Sequence, residues 1–418
     1  MTLDCPNGQQ CDINAVPPTC VDQLPDAPPP PPVCTPGSCA ADAPICDTGT
    51  GACRGCRADA ECGGDAAACT EYDGLCHDEG TVIFVTPNGS DNNKCNHGMP
   101  CKTFNGAFNV LTADRRIIRV DPGAYMSTGS TLVNIGDQNG RIVISGNDTD
   151  PSDTTFTSLG NGTVNPITVS VNNGTDVVIE GVTVSGGAND GVRVSAALLL
   201  SHVAIANNSQ RGIASNNNAS VHVYDSQIAD NKDDGIATQE GALEVLRTTI
   251  ARNHDGGIVT NRTAFTIEQS IVAHNGALFS GNGGINLQNL NGLPQRIAFV
   301  TVADNTAGSL VSGIQVEGTV AIESSIVVEN NATDADQIDM GCTATFSMFS
   351  GTDTPFGQGN IASGMADFRD AANDDFHLVP TSKAVDAADP SATGLVDIDG
   401  DPRPLGARCD MGADELRP

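Results

Sequence analysis

The chain has 418 residues, no Trp, 3 Tyr, 46 Gly and a formal charge of −31 from 51 acidic and 20 basic residues. A chain of this length exceeds one ordinary compact domain, so we expect either several domains or one elongated repeat structure. The scarcity of aromatic residues beside much Gly, Val and Ile favours the repeat structure, because small β-branched side chains then fill the core. The acidic charge repels nucleic acid and anionic lipid, so we expect no nucleic-acid partner.

Residues 1–33 are rich in proline, including the run Pro28–Pro32, and predict an extended tether without helix or sheet. Residues 34–80 contain few apolar side chains and eight cysteines, at positions 34, 39, 46, 53, 56, 62, 69 and 76. The sequence therefore predicts a small module held by disulfides, here called the cysteine module, with its connectivity open. Zinc is the alternative, but only Cys53 and Cys56 have the CxxC spacing that zinc sites use.

The 15 cysteines favour an oxidising compartment, and we predict an extracellular or outer cell-surface location. No stretch reaches the roughly 18 apolar residues of a membrane span. Residues 1–5 do not form a signal peptide, so we expect the export signal to be missing from this sequence; otherwise the compartment argument is wrong.

The parity of the cysteines suggests an anchor. If the cysteine module pairs internally, Cys95 pairs with Cys101, and Cys342 pairs with Cys409, then an odd set remains at positions 5, 11 and 20. An unpaired cysteine beside a proline-rich tether is a candidate lipidation site; the alternative is a thiol whose partner is absent from the sequence.

Residues 81–116 predict the first strand and a capping helix. Val82–Val85 is a short apolar run, and Thr103–Leu111 carries apolar residues near helical spacing. A helix across the first coil would cover the unpaired strand edge at the end of a solenoid.

Residues 117–365 repeat. An aliphatic residue followed three positions later by Asn recurs with Asn spacings of 23, 22, 22, 30 and 25, at Asn208, Asn231, Asn253, Asn275, Asn305 and Asn330. Asparagines at one inward turn position would stack, each amide bonding its neighbour, which predicts a structural ladder. A second pattern, Gly directly before Val or Ile, recurs in the same register as the asparagines, and we call it the second mark. We interpret its glycine as a turn position that needs positive φ.

Each repeat contains two or three short alternating runs broken by Gly, Asn or Asp, which indicates strands. One repeat is then one coil, and the predicted fold is an all-β parallel β-helix. About ten coils stacked about 4.8 Å apart would give a rod on the order of 50 Å long.

The coils also resemble a known family. Asn-Lys-Asp-Asp-Gly-Ile236 and Asn-His-Asp-Gly-Gly-Ile258 look like the right-handed parallel β-helix repeats of the pectate lyase-like superfamily. Val85–Asp91 with Lys102–Phe104 is similar to the first strand and capping helix of secreted bacterial members. The resemblance implies a pectin lyase fold over about 335 residues of this chain.

Residues 366–418 resemble a choice-of-anchor Q domain, through Asp375-Phe-His-Leu-Val-Pro380, Asp397-Ile-Asp-Gly-Asp-Pro-Arg-Pro404 and Met411-Gly-Ala-Asp-Glu415. We expect this region to cap the helix. The start of the chain resembles the spacer after the lipidated cysteine of bacterial lipoproteins, and the cysteine module resembles those of myxobacterial surface proteins. The resemblance implies an anchor at the N-terminus rather than at the C-terminus.

Residues at equal offsets from the ladder asparagines should stack in a column across neighbouring coils, and one such column predicts a site. Asp233 and Asp255 each lie two positions after a ladder asparagine, so stacking brings their carboxylates about one strand spacing apart. Such a pair repels unless a cation or a proton lies between the two groups, and oxygen ligands suit Ca²⁺. Lys232, Arg211 or Arg252 could supply the base for β-elimination from a uronate. The alternative is a charge ladder on solvated turns.

Two further polar patterns are interpreted as structural. The residues directly before the ladder asparagines include Asp230, Arg252 and His274, which predicts ion pairs on the surface. Alternate positions of residues 397–401 are Asp, as in calcium loops, but the twelve-residue pattern fails because its last position is Arg408.

Two functions follow as hypotheses. The first is a secreted or surface-tethered β-helix that binds carbohydrate or a cell-surface partner without catalysis. The second is a calcium-assisted polysaccharide lyase or another polysaccharide-degrading enzyme. Product formation from uronate polymers distinguishes them.

Overall fold

The computed structural model describes most of the chain. The described residues are 9–12, 19–22, 34, 38–41, 43–47, 52–63, 66–136, 140–146, 150–160, 164–170, 175–277, 281–290, 292–308, 311–331, 336–350, 357–362 and 366–417. Within them the chain forms the expected all-β parallel β-helix, preceded by a small disulfide-rich module.

Three sheets of parallel strands form the coils, and we call them the first, second and third sheets. The first contains Val82–Val85, Ile117–Val120, Ile142–Ser145, Asp176–Glu180, Ala197–Ser201, Ser220–Tyr224, Gln295–Ala298, Val320–Glu323 and Cys342–Thr345. The second contains Val133–Ile135, Ile167–Val169, Val192–Val194, Ile213–Ser215, Gly283–Gln288, Val311–Val316 and Asp336–Ile338. The third contains Gly123–Thr128, Thr154–Leu159, Thr183–Ser185, Ala204–Ala206, Gln227–Ala229, Thr249–Ala251, Ile271–Ala273, Thr301–Ala303, Ile326–Val328, Met348–Phe349 and Ile361–Ala362.

Two longer strands, Ile236–Leu246 and Gly256–Glu268, join the second sheet to the first. Each coil passes through the second, first and third sheets in that order. Register is kept from coil to coil, as where Ile228 pairs with Ile205 on one side and Ile250 on the other. These side chains stack inside the helix and are fully buried, so one continuous aliphatic core runs along the axis.

The ladder asparagines lie in single file and are buried. The side-chain Nδ2 of each donates to the Oδ1 of the next at 2.9 to 3.0 Å, from Asn208 to Asn330. The same Oδ1 accepts the backbone N–H of the asparagine before it, as where Asn253 donates to Asn275 at 3.0 Å. Gln337 ends the file by accepting from Asn330 at 3.0 Å. Every turn amide in the file is therefore satisfied without water.

The glycines of the second mark do not have positive φ, which corrects the expectation from sequence. A Cβ on Gly235 would lie 2.7 Å from the Asn253 Nδ2 and 2.8 Å from the Gly257 carbonyl oxygen. Glycine is needed there because the ladder and the next coil leave no room for a side chain. Positive φ falls instead on the residue before each ladder asparagine, at Asn207, Asp230, Arg252, His274, Asp304 and Glu329.

The helix expected across the first coil is present but short, Phe104–Phe108. Thr103 caps it by accepting from the Gly106 N–H at 3.1 Å. Phe104 packs into the end of the coil core against Phe156, with ring centroids 5.1 Å apart. A disulfide between Cys95 and Cys101 closes the loop before the helix.

The cysteine module has four disulfides: Cys34–Cys46, Cys39–Cys53, Cys56–Cys69 and Cys62–Cys76. Its strands pair antiparallel, Ile45–Asp47 with Ala52–Arg54 and Ala66–Thr70 with Leu75–Asp78, and single 3₁₀ turns lie at Asp59–Glu61 and Glu79–Thr81. Disulfides rather than zinc hold the module.

The predicted tether contains a short antiparallel pair, Gln9–Asp12 with Thr19–Asp22, where the sequence predicted no sheet. Neither strand contains a proline, so the prolines at positions 17, 18 and 28–32 do not interrupt the pairing. The proline run and Cys5 lie outside the described residues, and the lipidation site stays a prediction.

The module packs on the outer face of the first sheet. Ala68 of the module is buried with Val143 and Val178 of the sheet. The buried Glu180 carboxylate accepts the backbone N–H of residue 71 at 3.2 Å and that of Tyr72 at 3.0 Å. Burial raises the pKa of Glu180 to about 7.

The C-terminal region packs along the outer face of the third sheet. Phe376, Met411 and Ala413 share one buried cluster with Ile326 and Val328 of that sheet. The region contains the strand pairs Phe368–Asp370 with Asp375–Leu378 and Leu395–Val396 with Pro402–Arg403. The other 3₁₀ turns of the described chain are Pro151–Asp153 and Ala371–Asn373.

The expected disulfide between Cys342 and Cys409 is not formed, although both residues are described and buried. Cys342 belongs to the core inside the coils, whereas Cys409 belongs to the cluster outside the third sheet. The backbone of the sheet therefore separates the two thiols.

Candidate functional site

A polar groove of about 340 Å³ lies on the outer face of the second sheet. Small side chains at outward strand positions, Ala214, Ala237 and Val259, line it at successive coils. The remaining lining is polar or charged: Arg193, Arg211, Ser215, Asn216, Asp234, Thr238, Gln239, Asn261 and Gln288. We call this the polar groove.

Three carboxylates meet beside the groove, in the turns that lead into the second sheet. Asp233, Asp234 and Asp255 each offer an oxygen, and these oxygens lie within 4.8 Å of one another. We call this set the acidic cluster. Stacking brings the turns together, since the Asp255 backbone N–H donates to the Asp233 carbonyl at 3.3 Å.

Two carboxylates of the acidic cluster, Asp234 and Asp255, have raised pKa values. The pKa of Asp234 is raised to about 7, chiefly by burial; the charges of Asp233 and Asp255 contribute to the rise, and Asn282 and Arg211 oppose it. Burial and Asp233 also raise the pKa of Asp255. The negative charge of the cluster is thus incompletely compensated by the surrounding residues.

Arg211 is the cation nearest the cluster among those whose ion pairs are described. Its Nε lies 3.6 Å from an Asp233 oxygen and 3.7 Å from an Asp234 oxygen, too far for a hydrogen bond. This Nε is buried and has no hydrogen-bond acceptor among the described residues. By contrast, Arg193 is tied to Asp190 by two hydrogen bonds, at 2.9 and 3.1 Å.

The structure brings together some of the predicted site residues and not others. Asp233, Asp255 and Arg211 lie together as described above. Lys232 is exposed on the same turn as Asp233. Arg252 lies outside the acidic cluster: it pairs with Asp230 at 2.9 Å and with Asp374 of the C-terminal region. Arg252 has a positive φ, and its side chain lies on the side of the third sheet that the C-terminal region covers. It is therefore apart from the acidic cluster, and the prediction that it acts as a base there does not fit the structure.

Two residues of the site were missed by the sequence reasoning. Asp234 is buried in the cluster, and the Asn282 Nδ2 donates to it at 3.1 Å. Asp234 directly precedes a glycine of the second mark, in the same column as Asp190 and Arg211. A search of the position before each of these glycines, in addition to the position two residues after each asparagine, would have found Asp234. Asn282 lies in the longest repeat, whose extra residues hide the register.

The donor set of the cluster fits a hard divalent cation. Ca²⁺ takes carboxylate and amide oxygens, and the cluster offers three carboxylates with an uncompensated charge. Asp233, Asp234 and Asp255 are the residues that would hold the ion, and the side-chain amide of Asn282 would have to turn to present its oxygen.

The acidic segment 397–401 serves the fold. Asp397 is fully buried, and its carboxylate accepts the backbone N–H of Asp399, Asp401 and Glu415 at 2.7 to 3.0 Å. These bonds close the turn and tie it to the end of the chain. His377 lies nearby, with its Nε2 2.7 Å from an Asp399 oxygen.

Within the described part of the chain, no helix has the length and apolar character needed to cross a membrane.

The comparisons with known proteins support the fold. The family model "Right handed beta helix region" matches residues 167–333. The crystal structure of pectate lyase Pel9A is similar with a TM-score of 0.60 and 19% identity, covering 80% of this chain and 96% of that one. This likeness and the family-model match confirm a right-handed parallel β-helix fold.

Two other solved structures overlap weakly. The Agl-KA catalytic domain is 13% identical with a TM-score of 0.31, covering 62% of this chain and 54% of that one. A rhamnogalacturonan lyase is 11% identical with a TM-score of 0.30, covering 69% of this chain and 90% of that one. Neither bears on the function of this chain. No curated protein matches it.

Proposed function

We propose that this protein binds an acidic polysaccharide along the polar groove, with Ca²⁺ held at the acidic cluster. The observation that carries the proposal is the meeting of three carboxylates within 4.8 Å beside a groove lined by two arginines. A protein of charge −31 repels a polyanion unless a bound cation or local basic groups intervene. The acidic cluster would hold the cation, and the two arginines of the groove provide the basic groups.

The residues of the groove have separate tasks. Arg211, whose buried Nε has no acceptor among the described residues, would bind a sugar carboxylate, because a buried donor gains most from a charged partner. Arg193, already held by Asp190, presents its remaining N–H groups in a fixed direction. The amides Asn261 and Gln288 line the groove and can bind hydroxyls. A bound cation would neutralise the carboxylates of the cluster and of the ligand together.

Titration of polygalacturonate into the protein tests this proposal. We expect binding in calcium and at least tenfold weaker binding after chelation. Asp255→Asn should weaken calcium-dependent binding at least tenfold, because one ligand carboxylate is lost. The matched control is Asp230→Asn, one coil away in an ion pair outside the cluster. Equal binding by the wild type with and without calcium would refute the cation site.

A lyase is the second candidate, favoured by Lys232 on the turn that carries Asp233 and Asp234. The pectate lyase named above shares the fold, which makes β-elimination a reasonable test. Arg211, whose Nε has no acceptor among the described residues, would bind the substrate carboxylate, and Lys232 on the neighbouring turn is the candidate base. The base would remove the proton from the carbon α to the carboxylate, and the electron pair of that C–H bond would form a double bond between the α and β carbons. The bond from the β carbon to the leaving oxygen would break, and that oxygen would take up a proton. A bound cation would acidify the α-proton.

The absorbance of the unsaturated product measures this reaction. We expect Lys232→Ala to abolish product formation while polygalacturonate binding stays within about twofold of the wild type. Lys383→Ala, an exposed lysine in the C-terminal region, is the control and should retain the activity. If the wild type binds polygalacturonate but forms no unsaturated product, the lyase hypothesis is excluded and the binding function stands.

We also infer where the protein acts. Five disulfides among the described residues support an extracellular or outer-surface location. The remaining architecture stays a proposal: a tether over 1–33 with a lipid anchor, the cysteine module over 34–80, a first strand and helix over 81–116, coils over 117–365, and a choice-of-anchor Q-like region over 366–418. Mass analysis of membrane-associated protein for a lipidated cysteine would test the anchor.

A further inference from the structure

A second groove lies on a different face of the molecule, where the cysteine module ends on the first sheet. Its volume is about 270 Å³, and it is lined by Tyr72 of the module and by Arg141, Asp176, Leu199, His222 and Tyr224 of the coils. We call it the tyrosine groove. The chain has only three tyrosines, and two of them line this groove.

The sheet register explains why a groove forms here. Along one outward column of the first sheet, Val178, Leu199, His222 and Glu244 follow at successive coils. Val178 is buried under the module, and Leu199 is half-buried at its edge. His222 and Glu244 lie beyond the module. The apolar part of the column thus ends inside the groove and the polar part begins there.

The groove is fixed in place before any ligand binds. The Glu244 carboxylate accepts the Tyr224 hydroxyl at 2.5 Å and lies 2.7 Å from the His222 Nδ1. On the module side, the Arg141 guanidinium lies 5.7 Å from the centre of the Tyr72 ring. Both rings are therefore held by charged neighbours, which lowers the entropy lost when a ligand packs on them.

The lining chemistry points to an uncharged sugar. Tyrosine rings and Leu199 match the apolar face of a pyranose, and the Arg, His, Asp and Tyr groups match its hydroxyls. Arg141 lies 3.7 Å from Asp176, and the Glu244 carboxylate is bonded to the Tyr224 hydroxyl and to the His222 ring. A neutral ligand needs no counter-charge there, whereas a uronate would meet Asp176 and Glu244. We propose that the tyrosine groove is a binding site for a neutral glycan, independent of the polar groove.

Tyrosine NMR provides a direct test, because the full-length protein labelled with ¹³C in its tyrosine rings should give only three sets of signals. The probes are neutral hexaoses of glucose, mannose and xylose, added in the presence of chelator so that the proposed calcium site plays no part. We expect the signals of Tyr72 and Tyr224 to shift saturably with at least one hexaose. Tyr125 is buried in the first coil and should not shift.

Variants locate the binding. Tyr224→Ala should lower the affinity about threefold to tenfold, the usual range for one aromatic contact. Thr343→Ala, exposed farther along the same outward column, is the matched control and should bind as the wild type does. Thermal unfolding of each variant checks that it is folded.

Three outcomes would overturn the proposal: no tyrosine shift with any of the three hexaoses, an equal shift of Tyr125, or unchanged affinity in a folded Tyr224→Ala protein. None of these would affect the proposal for the polar groove, which is tested with an acidic polymer in calcium.

Discussion

Asp234 is a buried, charged side chain whose position is set by the stacking of the repeats. It is 4% exposed, lies beside two other carboxylates, and has a pKa of about 7 because of its burial. At neutral pH the charged form of this buried carboxylate is therefore unfavourable in the folded protein, and either a bound proton or a nearby cation would stabilise it. If the site binds the proposed cation, this side chain would link the stability of the coil to cation binding.

A pH prediction follows for Asp234. Below pH 4 the carboxyl is protonated in both the folded and the unfolded chain. Between pH 4 and 7 the unfolded chain loses this proton while the folded chain keeps it, so the free energy of unfolding falls as pH rises through this window. Asp234→Asn should remove the part of that fall that Asp234 contributes, which we expect to be on the order of a few kcal/mol, while other buried carboxylates such as Glu180 keep theirs.

Urea unfolding of both proteins at pH 5 and pH 8 measures the difference. Calcium should restore the stability of the wild type at pH 8 and have little effect on Asp234→Asn. Parallel pH profiles for the two proteins would show that the folded protein does not retain this proton.

At the scale of the elements, the turn before the second sheet combines three requirements. The ladder asparagine satisfies the turn amides, a residue with positive φ precedes it, and a glycine follows where the next coil leaves no room. The acidic cluster occupies the positions between the asparagine and the glycine. The scaffold therefore fixes the backbone of the site, and the side chains between these fixed positions are the ones available for chemistry.

Asn253→Ala should destabilise the protein by about 3 to 5 kcal/mol. The change removes the donor to Asn275 and to the Ile228 carbonyl and the acceptor for Asn231, and each buried unsatisfied group costs about 1 to 3 kcal/mol. Chemical denaturation measures the loss. Asn105→Ala, exposed on the short helix, should change stability by less than about 0.5 kcal/mol. A small effect of Asn253→Ala would mean that water replaces the ladder.

Gly235→Ala should cost about 3 kcal/mol through crowding, although its φ is ordinary. The added Cβ would press on the Asn253 amide and the next coil. Gly98→Ala, with nothing within 4 Å of the added atom, is the control and should leave stability nearly unchanged. If both substitutions were tolerated equally, the proposed reason for the glycine would be wrong.

At the scale of the whole molecule, two added regions each cover part of one face of the β-helix, and within the described residues neither covers the outer face of the second sheet. The cysteine module covers part of the first sheet, and the C-terminal region covers part of the third. The outer face of the second sheet carries the polar groove. We propose that an extended polymer binds along this face, and the edge of the module forms one side of the tyrosine groove.

The redox state of the cysteines tests this arrangement. Alkylation of the denatured, unreduced protein followed by peptide mapping should label Cys342 and Cys409 and leave the ten cysteines of the five described disulfides unlabelled. The two thiols lie on opposite sides of a sheet and cannot meet without unfolding. A linked peptide containing both, or bound zinc in place of the disulfides, would contradict the fold of these regions.

The sequence by itself determined the β-helix, the file of asparagines and the neighbourhood of Asp233 and Asp255. Repetition makes this possible, because equal offsets along the chain become neighbours one strand spacing apart. It could not place Asp234, whose burial depends on packing between turns. It also could not give the reason for Gly235, the pairing of the module or the separation of Cys342 from Cys409. These depend on contacts between segments with no shared register, and only the tertiary structure decides which surfaces meet.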